Sequence, residues 1–455
     1  MNRLIESQHQ KQDHPSDALQ QYTKKRSVVR FATFILLLFM MKTAIAVPPT
    51  KSLTYYIAQA EINSPLLNKT LNDNKVVLLN LQEVKKMLYD PTISINAAVL
   101  LAPIISHDNQ AQFQLAASGA TKYNGYDLAI TNGGQYQGVI SIQQPLFKRP
   151  TYRTYEQKAT IDRERNENTI RLTKHDIEQL VTHQYLLCLN SAAQMETTQK
   201  IIHELSSQLA ILKTLVANAV YKQTDEMLLQ IEYENYQNNY AAQHAAYVGN
   251  LYDLNALCGI QDTTEVTLEP TNLIMNALPT KTSYFETAYR LDSLSLTNDL
   301  KINNLKYLPQ VSIFADGGMN AAYLPTFNRL GVSAGLSFSW TIFDGNQRKI
   351  ETKKTTYGLQ NISFEKQNFL KQQTINKLKI IQQVNALNQQ IQNLDTQLSM
   401  YKKLIAAYEL QLAHGNISVM DYKNALKDVA AKQQETNLLK IEKESLISSY
   451  NYWNY

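Results

Sequence analysis

The chain has 455 residues and a mean hydropathy of −0.33, room for a large core but too polar for a bundle of transmembrane helices. Its formal charge of +5 comes mostly from residues 1–46, which hold seven of the 44 Lys and Arg and three of the 39 Asp and Glu; the remainder stands near +1 and gives a nucleic-acid partner no electrostatic support. Two cysteines, Cys188 and Cys258, exclude a disulfide framework and a paired-cysteine metal motif, and leave open whether they join each other.

In chain order, the one strongly apolar block is Phe31 to Met41, too short to span a bilayer. Lys24, Lys25, Arg26 and Arg30 precede it and Ala44-Ile45-Ala46 follows, the order of a secretory signal, so residues 1–46 are expected to be removed. Leu53 to Leu88 carries apolar residues at helical spacing, with Pro65 beginning or bending a turn and Asp90-Pro91 as the stop. Thr92 to Leu101 alternates, a polar glycine-bearing segment from His107 to Gln135 reads as a long loop with some strand extension, and strand character returns at Tyr136 to Phe147, so residues 92–147 form a hairpin.

Neither Gly nor Pro occurs from Thr151 to Val248, which predicts a long helix over about 151–218, a break at Ala219 to Thr224 and a return helix over about 225–257. Residues 260–281, with Pro270 and Pro279, are a linker. The plan then restarts: a helix from Ser283, a hairpin over about 310–343, a long helix over about 346–414, a break at His414-Gly415-Asn416 and a return helix over about 419–451. This makes residues 47–259 and 282–455 two copies of one unit. Pro145-Leu146-Phe147 matches Thr341-Ile342-Phe343, and Ala219 to Asp225 matches Gly415 to Asp421, both at a separation of 196. Pro91 and Pro309 are 218 apart, so the extra 22 residues lie inside the first hairpin.

The most regular stretch is Leu330 to Phe343. Val332, Ala334, Leu336, Phe338, Trp340 and Ile342 fall on one face of a period of two, Gly and Ser fill most of the other, and no charge occurs between Arg329 and Asp344. That is a tilted strand with Val332, Leu336, Phe338 and Trp340 toward lipid. Four such strands per chain cannot close a barrel, and open edges cannot face lipid; three chains would supply twelve strands and a solvent-filled bore.

Signal, doubled order of parts and the turn sequence Gly415-Asn-Ile-Ser-Val-Met-Asp421-Tyr-Lys-Asn-Ala425 together resemble the TolC family of outer-membrane efflux proteins over essentially the whole mature chain. The resemblance implies a mostly helical fold with a membrane β-barrel: a homotrimer whose 12-stranded barrel, four strands per chain, continues into a coiled-coil helical barrel in the periplasm. It implies a passive duct in the outer membrane of a Gram-negative bacterium, touching outer-membrane lipid and docked to a periplasmic adaptor and an inner-membrane transporter for efflux or type I secretion. A trimeric coiled-coil surface protein or adhesin is the alternative, and it leaves the apolar strand face and the equal-length repeat unexplained.

In that family the positions of Asp225 and Asp421 lie at the periplasmic entrance, where carboxylates from three chains favour cations; helix capping is the plainer role for both. Gly415 would allow the sharp turn, with Ser418 and Asp421 as a capping pair. Where the family's best-studied branch locks its tip with charged and aromatic side chains, this chain has Leu412, Ile417 and Asn424, so a ring of Leu or Ile is expected to shut the entrance instead. No nucleophile, metal or phosphate-binding motif occurs, so no enzyme activity and no cofactor is expected.

Overall fold

The computed structural model describes residues 50–101, 103–114, 121–125, 134–277, 283–321 and 330–455; the signal expected at 1–46 lies outside the described residues. Contacts divide the chain into Met1–Thr50 with Glu265–Thr267, and Lys51–Thr264 with Leu268–Tyr455. All elements below belong to the second unit.

Helices dominate. The first apolar-periodic segment is two helices, α1 (Leu53–Asn63) and α2 (Pro65–Tyr89), where the periodicity alone suggested one. Ser64 separates them: it is pushed to an extended conformation before Pro65, and its hydroxyl accepts the Leu67 N–H at 3.3 Å to cap the second. Tyr89 ends α2 one residue before Asp90-Pro91.

Strand β1 (Thr92–Leu101) follows. A small sheet comes next, in which β2 (Ile104–Ser106), just before the segment read as a loop with some strand extension, is flanked by β3 (Gln112–Gln114) and β4 (Tyr123–Gly125) within it. Asp108 ties its turn together, accepting the Thr121 and Lys122 N–H groups at 2.8 Å each. Such short polar strands carry no alternation that a sequence pattern could reveal.

β5 (Gly134–Leu146) leads into α3 (Arg149–Ala217), 69 residues or about 100 Å of helix, then α4 (Gln223–Leu257). The second part runs α5 (Tyr284–Asn304), β6 (Gln310–Ala321), β7 (Leu330–Ser339), α6 (Gln347–Ala413) and α7 (Val419–Trp453). Helices α4 and α7 have 35 residues each, and both pairs of helix ends around the turns, Ala217 with Ala413 and Gln223 with Val419, are 196 residues apart.

Toward the turns, the core is Leu205 and Leu212 of α3, Leu229 of α4, Leu412 of α6, and Val419, Tyr422 and Leu426 of α7. Farther along, Ile380 and Val384 of α6 pack with Ile447 and Tyr450 of α7. Cys188 and Cys258 are both free and fully buried, and burial pushes each thiol up to about 12, which keeps them unreactive near neutral pH.

Candidate functional site

The strands β1, β5, β6 and β7 form one antiparallel sheet in that order. Its registers sort most side chains into an apolar and a polar face. Ile93 and Ile95 pair with Ile142 and Ile140; Ala315 pairs with Ala334, Ile313 with Leu336 and Val311 with Phe338. Because Ile142 also pairs with Ala315, all of these lie on one face. The opposite face carries the row Ser94, Ser141, Asp316 and Ser333. On it, Asn96 Nδ2 donates to Ser141 Oγ at 3.0 Å, and the Phe314 ring lies where a Cβ on Gly335 would approach within 2.9 Å.

The apolar face is bare: Val332 is 91% exposed, and Leu336 and Phe338 are exposed beside it. Strands of 10 to 13 residues match a tilted membrane crossing. Among the described residues no helix is long and apolar enough to cross a membrane.

Trp340 departs from expectation. The strand ends at Ser339, paired with Gln310, because Pro309 precedes that partner and has no N–H to continue the ladder. Trp340 is therefore off the strand, and its indole Nε1 donates to the Tyr307 carbonyl at 3.2 Å. All four strand ends that join helices lie at this end of the sheet, since Thr92 pairs with Gln143, Leu146 with Val311 and Gln310 with Ser339.

The far ends of the long helices carry the other expected residues. Both turns close in the same way. Val220 N–H donates to the Leu215 carbonyl at 2.9 Å and Asn416 N–H to the Gln411 carbonyl at 2.8 Å, each bond spanning a left-handed residue, Ala219 (φ 59°) or Gly415 (φ 72°). Glycine is favoured at 415 on two counts, since a Cβ there would also meet Val220 Cγ1 at 2.6 Å. The two turns are joined, the Tyr221 hydroxyl donating to the Ile417 carbonyl at 2.7 Å. Val220 and Tyr221 are the site residues that sequence reasoning missed, for nothing local shows that the turns touch.

The carboxylates diverge. Asp225 is half-buried and accepts the Lys222 N–H at 3.0 Å, so it caps α4. At the second turn Ser418 caps α7 alone, its hydroxyl accepting the Met420 N–H at 3.1 Å, in place of the expected pair with Asp421. The Asp421 side chain is exposed and has no hydrogen-bond or ion-pair partner among the described residues.

Leu412 is also corrected. It is 0% exposed within its own chain, packed among the core side chains of α3, α4 and α7, and cannot project into a ring of Leu. Ile417 is half-buried against the same cluster. Above the turns, Glu204 of α3 and Glu409 of α6 face each other beside Tyr422, whose hydroxyl donates to Glu204 at 3.4 Å. Burial first, and then Glu204, push the Glu409 carboxyl up to about 7. Among the described residues no group of three or more His, Cys, Asp or Glu could hold a metal ion.

A sheet with one exposed apolar face and one polar face thus feeds helix pairs of equal reach. The family described as outer membrane efflux protein matches residues 288–444. The Campylobacter jejuni CmeC outer membrane channel superposes with a TM-score of 0.63 at 13% identity, covering 88% of this chain and 85% of that one. The Vibrio cholerae outer membrane protein VceC does so with a TM-score of 0.62 at 14% identity, covering 88% and 96%. The open state of the Neisseria gonorrhoeae MtrE outer membrane channel gives 0.59 at 13% identity, covering 88% of each. No curated protein matches by sequence. The chain thus shares its fold with outer-membrane efflux channels, and residues 288–444 match their family.

Proposed function

We propose that three copies of this chain form a passive exit duct in the outer membrane of a Gram-negative bacterium, docked through a periplasmic adaptor to an inner-membrane pump. The observation that carries this reading is the sheet, whose apolar face is exposed and whose outer strands β1 and β7 are left without partners in a single chain. Unpaired strand edges cannot stand in lipid, so the sheet must be closed, and three copies in a ring make a 12-stranded barrel. Helix turns matched at a separation of 196 support two repeated halves of equal depth, 47–259 and 282–455.

The long helices need neighbours as well. Ile350, Tyr357, Phe364 and Leu378 of α6 are exposed at multiples of seven residues, the spacing of a coiled-coil seam, which a second copy would cover. Gln382, Gln383, Gln389 and Gln390 are exposed in the same helix and would give an uncharged, weakly binding wall. At the entrance the free carboxylate of Asp421, repeated three times, would favour cations, while Asp225 serves its helix.

Single-channel recording of the purified protein in a planar bilayer tests this. Discrete conductance steps are expected, with cation preference reduced by Asp421→Asn and little changed by Asp225→Asn. A bilayer silent under every condition would leave the non-channel coiled-coil reading in place.

A further inference from the structure

The four membrane strands contain a single side chain that is charged at neutral pH, Asp316, at the middle of strand β6. It lies on the polar face, between Ser141 of β5 and Ser333 of β7. The Ser333 hydroxyl donates to its carboxylate at 3.4 Å, and no cation pairs with it among the described residues. Strand packing does not account for it: its cross-strand neighbours are uncharged, and Ser or Asn would complete the row at lower cost. An ionisable residue at membrane depth is expensive unless it faces water and acts on what passes.

We infer that Asp316 is a specificity-determining residue of the duct, a second cation-selecting ring placed within the barrel and separate from the entrance. This rests on the trimeric channel proposed above. Twelve tilted strands enclose a barrel roughly 24 Å across between backbones, so side chains leave a bore of about 14 Å. Threefold symmetry sets three Asp316 carboxylates at one height, each about 7 Å from the axis by the same geometry. Phe314, the neighbouring bulky side chain on this face, covers Gly335, so its ring lies along the wall. Three unit charges at that distance in water, screened at physiological ionic strength, enrich a monovalent cation on the axis by about threefold. The ring would weaken anionic cargo and leave neutral cargo unaffected.

Reversal potentials across a salt gradient test this in the Asp421→Asn background, where the entrance carboxylate is already gone. Wild-type Asp316 should retain a potassium-over-chloride preference of about tenfold at 0.15 M salt, the cation enriched and the anion depleted by the same factor, that falls below about twofold at 1 M, where the screening length is about 3 Å. Asp316→Asn, close to isosteric and so safe for folding, should abolish it; Asp316→Glu should keep it and Asp316→Lys should invert it. Conducting channels whose selectivity is the same in all four overturn the inference while the duct stands. Failure of the wild-type protein to conduct removes both.

Discussion

The two helix turns have one backbone and two chemistries. Residues 215–225 and 411–421 share the same closing bond, the same left-handed residue and the same position for an aspartate, yet Ala219 stands where the other has Gly415, and Lys222 where the other has Ser418. The bonding that closes a turn does not depend on side chains, so it tolerates this divergence. The side chains then divide the work. The first turn supplies the parts that hold the pair together, Val220 and Tyr221 reaching across and Asp225 capping its own helix. The second receives them and leaves Asp421 free.

The strongest way to break this division is to empty the shared core. Leu412→Ala should cost about 3 kcal/mol, read as a lower thermal midpoint in detergent, because a fully buried leucine leaves a cavity between four helices. Were Leu412 a gate residue, its truncation would raise conductance with little loss of stability. Next comes the left-handed position. Gly415→Ala should destabilise by about 2 kcal/mol, from backbone strain and the collision with Val220, whereas Ala219→Gly should stabilise by about 0.5 kcal/mol once the freer unfolded chain is counted. Opposite signs in thermal melts at two matching positions would sharpen the comparison; equal signs would break it. Tyr221→Phe removes the hydroxyl bond between the turns and should cost about 1 kcal/mol.

The smallest effect is pH-dependent. With the Glu409 carboxyl raised from 4.5 to about 7, the folded state holds its proton more tightly than the unfolded chain does. Its stabilising share is therefore complete below about pH 4.5 and is lost as pH rises through about 7. Melting temperature should fall modestly across that window, and Glu409→Gln should remove that part of the slope.

How much of this the sequence revealed depends on how local each cause is. The sheet was legible because one apolar and one polar face impose a strict period of two, visible from Val332 to Phe338. The turns were legible through Gly415 and the matching run at Ala219. Leu412 was misread because a leucine near a helix end looks alike whether it faces a lumen or its own core. The Glu204 and Glu409 pair was invisible, 205 residues apart and on helices whose rotation about their axes the pattern does not determine. The end of β7 at Ser339 lay with its partner, since the alternation of β7 itself runs on to Ile342.

The two unpaired rims of the sheet, β1 on one side and β7 on the other, are not alike, so neighbouring copies can join only heel to toe, β7 of one against β1 of the next. In the proposed ring every seam then belongs to two different subunits, and one defective member interrupts the circuit wherever it is inserted. A chain with a blocked rim, co-expressed with the intact one, should act as a poison and silence far more channels than its own share of the population.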